Sequence, residues 1–203
     1  MRKQLEFLYD FGSPNAYLAH RVLPDIARRC GAELVYQPVL LGGIFKLTGN
    51  ASPMQTMAGI RNRLEYEGLE TERFVRRHGL QKDFRMNPHF PVNTLQIMRG
   101  AVAAQGMGAD IYRAYVDTLF YAMWRDGRDM GDVDNIASVL ENVGLPAADL
   151  LVAAQTQAVK SALLANTENA VERGVFGAPS FFVGTELYFG KDRLRDIEEA
   201  LGD

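Results

Sequence analysis

The stretch Phe11-Gly12-Ser13-Pro14 follows a short alternating apolar run, "LEFLY", and leads straight into helical periodicity. Ser13 and Pro14 together make a helix start: the hydroxyl accepts from an orphan amide, and proline suits the first helical position. A solvent-facing helix N-terminus also carries unpaired amides and a partial positive charge, which favour a bound anion and favour thiolate over thiol. The chemistry available here is to hold an ionised sulfur, with the Ser13 hydroxyl donating to it. Serine as a nucleophile would need an activating base. "GSPNA" is not a Gly-x-Ser-x-Gly elbow, and no pattern places a histidine beside Ser13. A hydrogen bond to a charged group is worth about 1.5–3 kcal/mol and a helix terminus about 0.3–2 kcal/mol. At about 1.36 kcal/mol per pKa unit, the two would pull a bound thiol's pKa down by roughly one to three, enough to ionise much of it near neutrality. The competing reading is that Ser13-Pro14 only caps a helix.

Two further stretches carry chemistry. In "FGAPSFFV", Pro179 immediately precedes an apolar strand. A cis Ala178–Pro179 bond there would present the backbone of Ala178 to an extended, peptide-like ligand, whereas a trans bond would make it an ordinary strand start. In "FGKDRL", Lys191 and Asp192 open the last helix. Asp192 either complements the helix dipole or, with Lys191, reads the charged end of a ligand.

Residues 4 to 9 alternate at Leu5, Phe7 and Tyr9 as a strand, and Leu18, Val22 and Ile26 continue at helical spacing to about Cys30, with Gly31 ending the run. Pro24 inside that helix predicts a kink. "AELVYQPVLL" reads as a second strand whose Pro38 demands a strand end or an edge. From Gly42 to Asn166 strand signals largely vanish, and five helices are expected: "IRNRLEYEGLETERFVRRHG", "NTLQIMRGAVAAQ", "DIYRAYVDTLFYAMWRDG", "DVDNIASVLENV" and "AADLLVAAQTQAVKSALL". "NPHFPVN" is a loop between the first two. Thereafter "NTENAVERG" reads as a short helix, "APSFFVG" and "TELYFG" as a hairpin, and "KDRLRDIEEALG" as a terminal amphipathic helix. The order is β-α-β, a helical block, then α-β-β-α, an α/β chain. Residues 1–41 and 167–203 then form a thioredoxin-like fold, with 42–166 as a helical insertion.

The bulk properties exclude several functions. The 203 residues are 47% hydrophobic and 23% charged, an ordinary globular balance. Net charge is -3 with signs interspersed, so "RVLPDIARRC" and "FVRRHG" read as solvated helix faces, and nucleic acid is not expected as a partner. No apolar run reaches the roughly 20 residues that span a bilayer, and "MRKQLEFLYDFG" lacks a signal peptide's apolar segment, so a cytoplasmic protein without a membrane partner is expected. Cys30 is the single cysteine, which excludes an intrachain disulfide, a Cys-x-x-Cys redox pair and a thiolate zinc cluster. His20, His78 and His89 have no metal-ligand spacing, and no metal is expected.

With these residues in view, the chain resembles the 2-hydroxychromene-2-carboxylate isomerases and the kappa-class glutathione transferases, within the DsbA-like thioredoxin superfamily. The resemblance spans nearly the whole chain and rests on "YDFGSPNAYLA", "TGN", "NPHFPVNTLQIMRG" and "VFGAPSFFVGTELYFGKDRL" occurring in this order. It implies glutathione as cofactor, supplying the sulfur that the protein lacks, with Ser13 matching the serine that stabilises the thiolate. It implies that the backbone of Ala178, before a cis Pro179, pairs with the cysteinyl part of glutathione, that Lys191 and Asp192 lie at its γ-glutamyl end, and that Asn50 of "TGN" belongs to the pocket. The family's lysine beyond that asparagine has Arg61 or Arg63 as its counterpart here, with different donor geometry.

The activity implied is a glutathione-dependent cis-trans isomerisation in which thiolate adds reversibly to a conjugated carbonyl of a small aromatic substrate. Conjugation or peroxide reduction would begin from the same sulfur, and a homodimer is expected by family analogy. Phe11, Tyr17, Phe90 and Trp124 either wall the substrate side or are plain core. The reading from a different class is a non-catalytic thioredoxin-like module that binds peptides.

Overall fold

The computed structural model describes residues 3–202. Strand β1 (Gln4–Tyr9) is followed by α1 (Pro14–Cys30) and β2 (Glu33–Pro38), and β1 and β2 pair in parallel from Gln4↔Glu33 to Tyr9↔Pro38. After the helical block, β3 (Ser180–Val183) and β4 (Glu186–Phe189) form an antiparallel hairpin, and β3 lies antiparallel to β1. The sheet order is β2-β1-β3-β4, so β2 is an edge and ends at Pro38, where proline's missing N–H does least harm. A 3-10 turn (Lys191–Arg193) leads into α10 (Leu194–Gly202). This is the thioredoxin arrangement carrying a helical insertion.

The alternation in β1 divides the core between the two faces of the sheet. Leu5, Phe7 and Tyr9 join a large cluster with α1, α10 and the helical block, and Leu8 points the other way to Val39, Ile44, Ala170, Val175 and Phe182. Phe181 and Phe182 alternate in the same way on β3. At about 1.5–3 kcal/mol for each buried large side chain, these clusters supply the driving force that local propensity lacks. α1 is helical throughout despite Pro24, and it ends at Gly31, whose left-handed φ of 61° turns the chain so that Ala32 N–H reaches back to the Ala27 carbonyl at 2.9 Å.

The helical block differs from the expected five helices. The expected helices after "NPHFPVN" correspond to α5 (Leu95–Met107), α6 (Ala109–Trp124) and α7 (Val133–Glu141), and the one before it to α4 (Arg63–Arg77). Two earlier helices were not anticipated: α2 (Leu41–Thr48) and the short α3 (Pro53–Met57). Two adjacent glycines depress helix propensity in α2, but fully buried Ile44 anchors it to the core and overrides that preference. "AADLLVAAQTQAVKSALL" is not one helix but two, α8 (Ala147–Ala153) and α9 (Gln157–Glu172). Thr156 causes the break, because its hydroxyl donates to the Ala153 carbonyl and accepts from Val159 N–H, closing one helix and capping the next. α9 then runs unbroken through the segment read as a separate short helix, so residues 166 and 167 lie within a single element.

Candidate active site at the first helix N-terminus

Ser13 is the N-cap of α1, and its Oγ accepts from Ala16 N–H at 3.1 Å. The same hydroxyl donates to the Ala178 carbonyl at 3.0 Å. The Ala178–Pro179 bond is cis, as is Phe90–Pro91, which the sequence reading did not single out. Capping and ligand reading are therefore not alternatives for Ser13, which is 5% exposed. In this state its one proton is committed to Ala178, and donating to a bound sulfur requires the hydroxyl to turn away from that carbonyl. Asn15 N–H in the first turn of α1 and Ala178 N–H make no hydrogen bond among the described residues, which leaves both as donors for a ligand.

The loop that delivers Ser13 is held rigidly. Ser13 N–H reaches the Asp10 carbonyl at 3.1 Å, Phe11 N–H the Met98 sulfur at 3.4 Å, and Trp124 Nε1–H the Phe11 carbonyl at 2.7 Å. Phe11, Tyr17 and Trp124 are fully buried, which settles them as core, and Phe90 packs on Trp124. Beneath the loop lies Asp10, 1% exposed, accepting at 2.8 Å each from Gly12 N–H, Leu41 N–H and the Thr94 hydroxyl. Burial pushes the Asp10 carboxyl up, and the three donors oppose that rise. Gly12 is constrained by space rather than by φ: a Cβ there would make tight contacts, 3.1 Å from Thr94 Cγ2 and 3.3 Å from Asp10 Oδ1. Sequence reasoning passed over Asp10, although a carboxylate two residues before a glycine at a strand end is the signature of an Asx turn.

The other expected residues fall into two groups. Gly190 N–H donates to the Pro179 carbonyl at 3.0 Å, which fixes the turn bearing Lys191 and Asp192 beside the cis bond. Lys191 is 3% exposed and its ammonium lies 2.9 Å from Asp192 Oδ1 and 5.3 Å from the Phe74 ring centroid, whereas Asp192 is 66% exposed. Asp192 is thus the accessible member of the pair. Asn50 Nδ2 donates to the Phe176 carbonyl at 2.8 Å, tying the end of α2 to the loop that contains Ala178. The exposed rings of Phe176 and Phe189, with centroids 4.4 Å apart, flank this loop and were not anticipated. Arg61 and Arg63 are exposed, Arg63 pairs with Glu67 at 2.7 Å, and no bond among the described residues links either to the Ser13 loop.

The chain that carries this site, which has no thiol of its own, is similar to known proteins. A DSBA-like thioredoxin domain matches residues 4–202. The chain belongs to the DsbA-like thioredoxin family. Its curated relatives include a 2-hydroxychromene-2-carboxylate isomerase of Sphingobium xenophagum, 29% identical over 203 residues and covering 100% of both chains. They also include glutathione S-transferase kappa 1 of Rattus norvegicus, 29% identical over 206 residues, covering 98% of this chain and 91% of that one. A solved 2-hydroxychromene-2-carboxylate isomerase superposes with a TM-score of 0.83 at 27% identity, covering 98% of this chain and 94% of that one. These relatives are isomerases and glutathione transferases, named for small molecules, and no helix among the described residues is long and apolar enough to cross a membrane.

Proposed function

We propose that this protein is a glutathione-dependent isomerase acting on an aromatic conjugated carbonyl compound of the 2-hydroxychromene-2-carboxylate type. One observation carries the reading: in a chain related throughout its length to such isomerases, the Ser13 hydroxyl sits at a helix N-terminus 3.0 Å from the backbone of Ala178, beside cis Pro179. The polar groups suit glutathione, a peptide with one thiol and charged ends: two unpaired amides and one hydroxyl can donate, and an accessible carboxylate can accept.

Glutathione, when bound, supplies a thiolate that adds reversibly to the substrate, which allows a bond to rotate before the thiol departs with no net redox change. The chain's part is to bind and to orient. Ala178 N–H and, once the Ser13 hydroxyl has turned away, its carbonyl are left to pair with the cysteinyl backbone. That turned hydroxyl then donates to the sulfur, assisted by the partial positive charge of α1. Asp192 receives the γ-glutamyl ammonium, Asn50 borders the pocket, and the far carboxylate falls to Arg61, in the exposed turn before α4, or to Arg63, at its first position. The rings of Phe176, in the loop that contains Ala178, and Phe189, at the end of β4, offer the aromatic substrate an apolar surface. A kappa-like transferase or peroxidase reaction would use the same sulfur, and the proposal includes a homodimer by analogy with the relatives.

The test is calorimetric titration with reduced glutathione and with S-methylglutathione, followed by ultraviolet absorbance of bound thiolate and assay with 2-hydroxychromene-2-carboxylate. Saturable binding, a thiolate band near neutral pH and turnover are expected. No binding at millimolar glutathione would leave Ser13 as a helix cap in a peptide-binding module.

A further inference from the structure

A concavity lies where α2, α5 and α9 converge. It encloses about 450 Å³, within the range of small-molecule sites, and none of Ser13, Ala178, Pro179, Lys191 or Asp192 lines it. Its walls are apolar, with Leu47, Leu95 and Leu164 among them, and Leu47 and Leu164 are left substantially exposed to water. Set into these walls are Lys46, Arg99 and Lys160, one cation from each helix, against a single carboxylate, Glu168. None of these four forms an ion pair among the described residues.

Many surface arginines of this chain are, by contrast, spent on carboxylates. Arg28, Arg29, Arg63, Arg73, Arg113, Arg125, Arg173, Arg193 and Arg195 each hold a carboxylate, in a protein of net charge -3. Three unspent cations drawn from separate elements around one apolar hollow repel one another, and an apolar wall gives them nothing in return. A ligand with an apolar body and one anionic group satisfies both features at once. The body removes the leucines from water and the anion takes the excess charge, with arginine able to bind a carboxylate or sulfonate through two parallel N–H donors.

We infer that this hollow is a second binding site, selective for small amphipathic organic anions, separate from the residues around Ser13. The inference depends on neither glutathione nor Ser13.

The experiment is a titration of the full chain with 2-naphthoate, and with neutral 2-naphthamide as its shape control, in the absence and presence of saturating S-methylglutathione. One naphthoate should bind per chain in both conditions, about tenfold or more tightly than naphthamide, the discrimination expected from one charge-assisted hydrogen bond. Arg99→Gln and Lys160→Gln should each weaken naphthoate severalfold without shifting naphthamide, and Leu164→Glu should weaken both while the circular dichroism stays that of the parent. Ser13→Ala should change neither. Equal affinity for the acid and the amide, indifference to Arg99→Gln and Lys160→Gln together, displacement by S-methylglutathione, or no binding at millimolar naphthoate would each overturn the site.

Discussion

Ser13 Oγ and the Ala178 carbonyl, 165 residues apart in the chain, meet at 3.0 Å and join the start of α1 to the cis-proline loop. The hydroxyl accepts from Ala16 N–H at the same time, so its role in the resting protein is already structural. Replacing Ser13 with alanine should remove a cap worth about 0.5–2 kcal/mol and lower the melting temperature measurably. If the same hydroxyl stabilises a bound thiolate, Ser13→Ala should also raise the pKa read from the thiolate absorbance and reduce turnover at neutral pH. Ser13→Gly separates the two roles, since glycine at an N-cap costs only a few tenths of a kcal/mol relative to serine yet lacks the donor. Unchanged turnover in both variants would remove Ser13 from the chemistry.

Asp192 and Lys191 make an asymmetric pair, an exposed carboxylate beside a buried ammonium. Removing Asp192 strands the buried charge, which costs about 1–3 kcal/mol or more, so Asp192→Ala should lose stability as well as raise the glutathione requirement. Lys191→Met combined with Asp192→Ala replaces the ammonium by an apolar chain beside Phe74 and should recover much of the melting temperature. The double variant should still need more glutathione than the parent. Full recovery of both would return Asp192 to a purely structural role.

Gly12 supports a third prediction, because its place depends on Thr94. Gly12→Ala puts a methyl 3.1 Å from Thr94 Cγ2, which must yield by a few tenths of an ångström, so a loss no larger than the low end of the about 1–3 kcal/mol typical of overpacking is expected. Thr94→Ser deletes that methyl while keeping the hydroxyl that donates to Asp10, so the pair should be more stable than Gly12→Ala alone. Thermal unfolding of the three variants reads the coupling directly. Additive losses would place the strain elsewhere, with the Asp10 carboxylate as its nearest source.

What the sequence made legible follows from range. β1, α1 and the β3–β4 hairpin were readable because strand alternation, Ser13-Pro14 and Gly31 act over a few residues. α2 was not, since two glycines argue against a helix that only the burial of Ile44 enforces. The division between α8 and α9 was lost because Thr156 gives a weaker signal than proline or glycine. Asp10 escaped for a related reason: two of its partners, Leu41 and Thr94, lie 31 and 84 residues away, and no local pattern announces such a convergence. The Lys46, Arg99 and Lys160 cluster likewise exists only after α2, α5 and α9 have packed.

His20 supports a prediction about pH. It is 3% exposed on α1, with Nδ1 2.9 Å from the Tyr36 hydroxyl, Nε2 3.2 Å from Asp117 Oδ1 and its ring stacked on Phe120. Burial lowers its pKa from the ordinary 6.5 and outweighs the attraction of Asp117, while Arg113 and Arg21 add to the lowering. The unfolded chain therefore binds a proton here before the folded one does. Stability from this group is complete above pH 6.5 and is lost as pH falls from there toward the folded pKa, at no more than about 1.4 kcal/mol per pH unit. His78 is lowered too, by burial and by Arg77, but it lies exposed at the end of α4 and contributes with the same sign. Asp10, raised by burial, acts in the opposite sense, its contribution fully present below 3.8 and lost as pH rises through its folded pKa. Denaturant titrations between pH 5 and 7 should thus show a slope that His20→Gln flattens more than His78→Gln does. An unchanged slope in His20→Gln would mean that the attraction of Asp117 cancels burial, and a steeper one that Asp117 governs the buried ring.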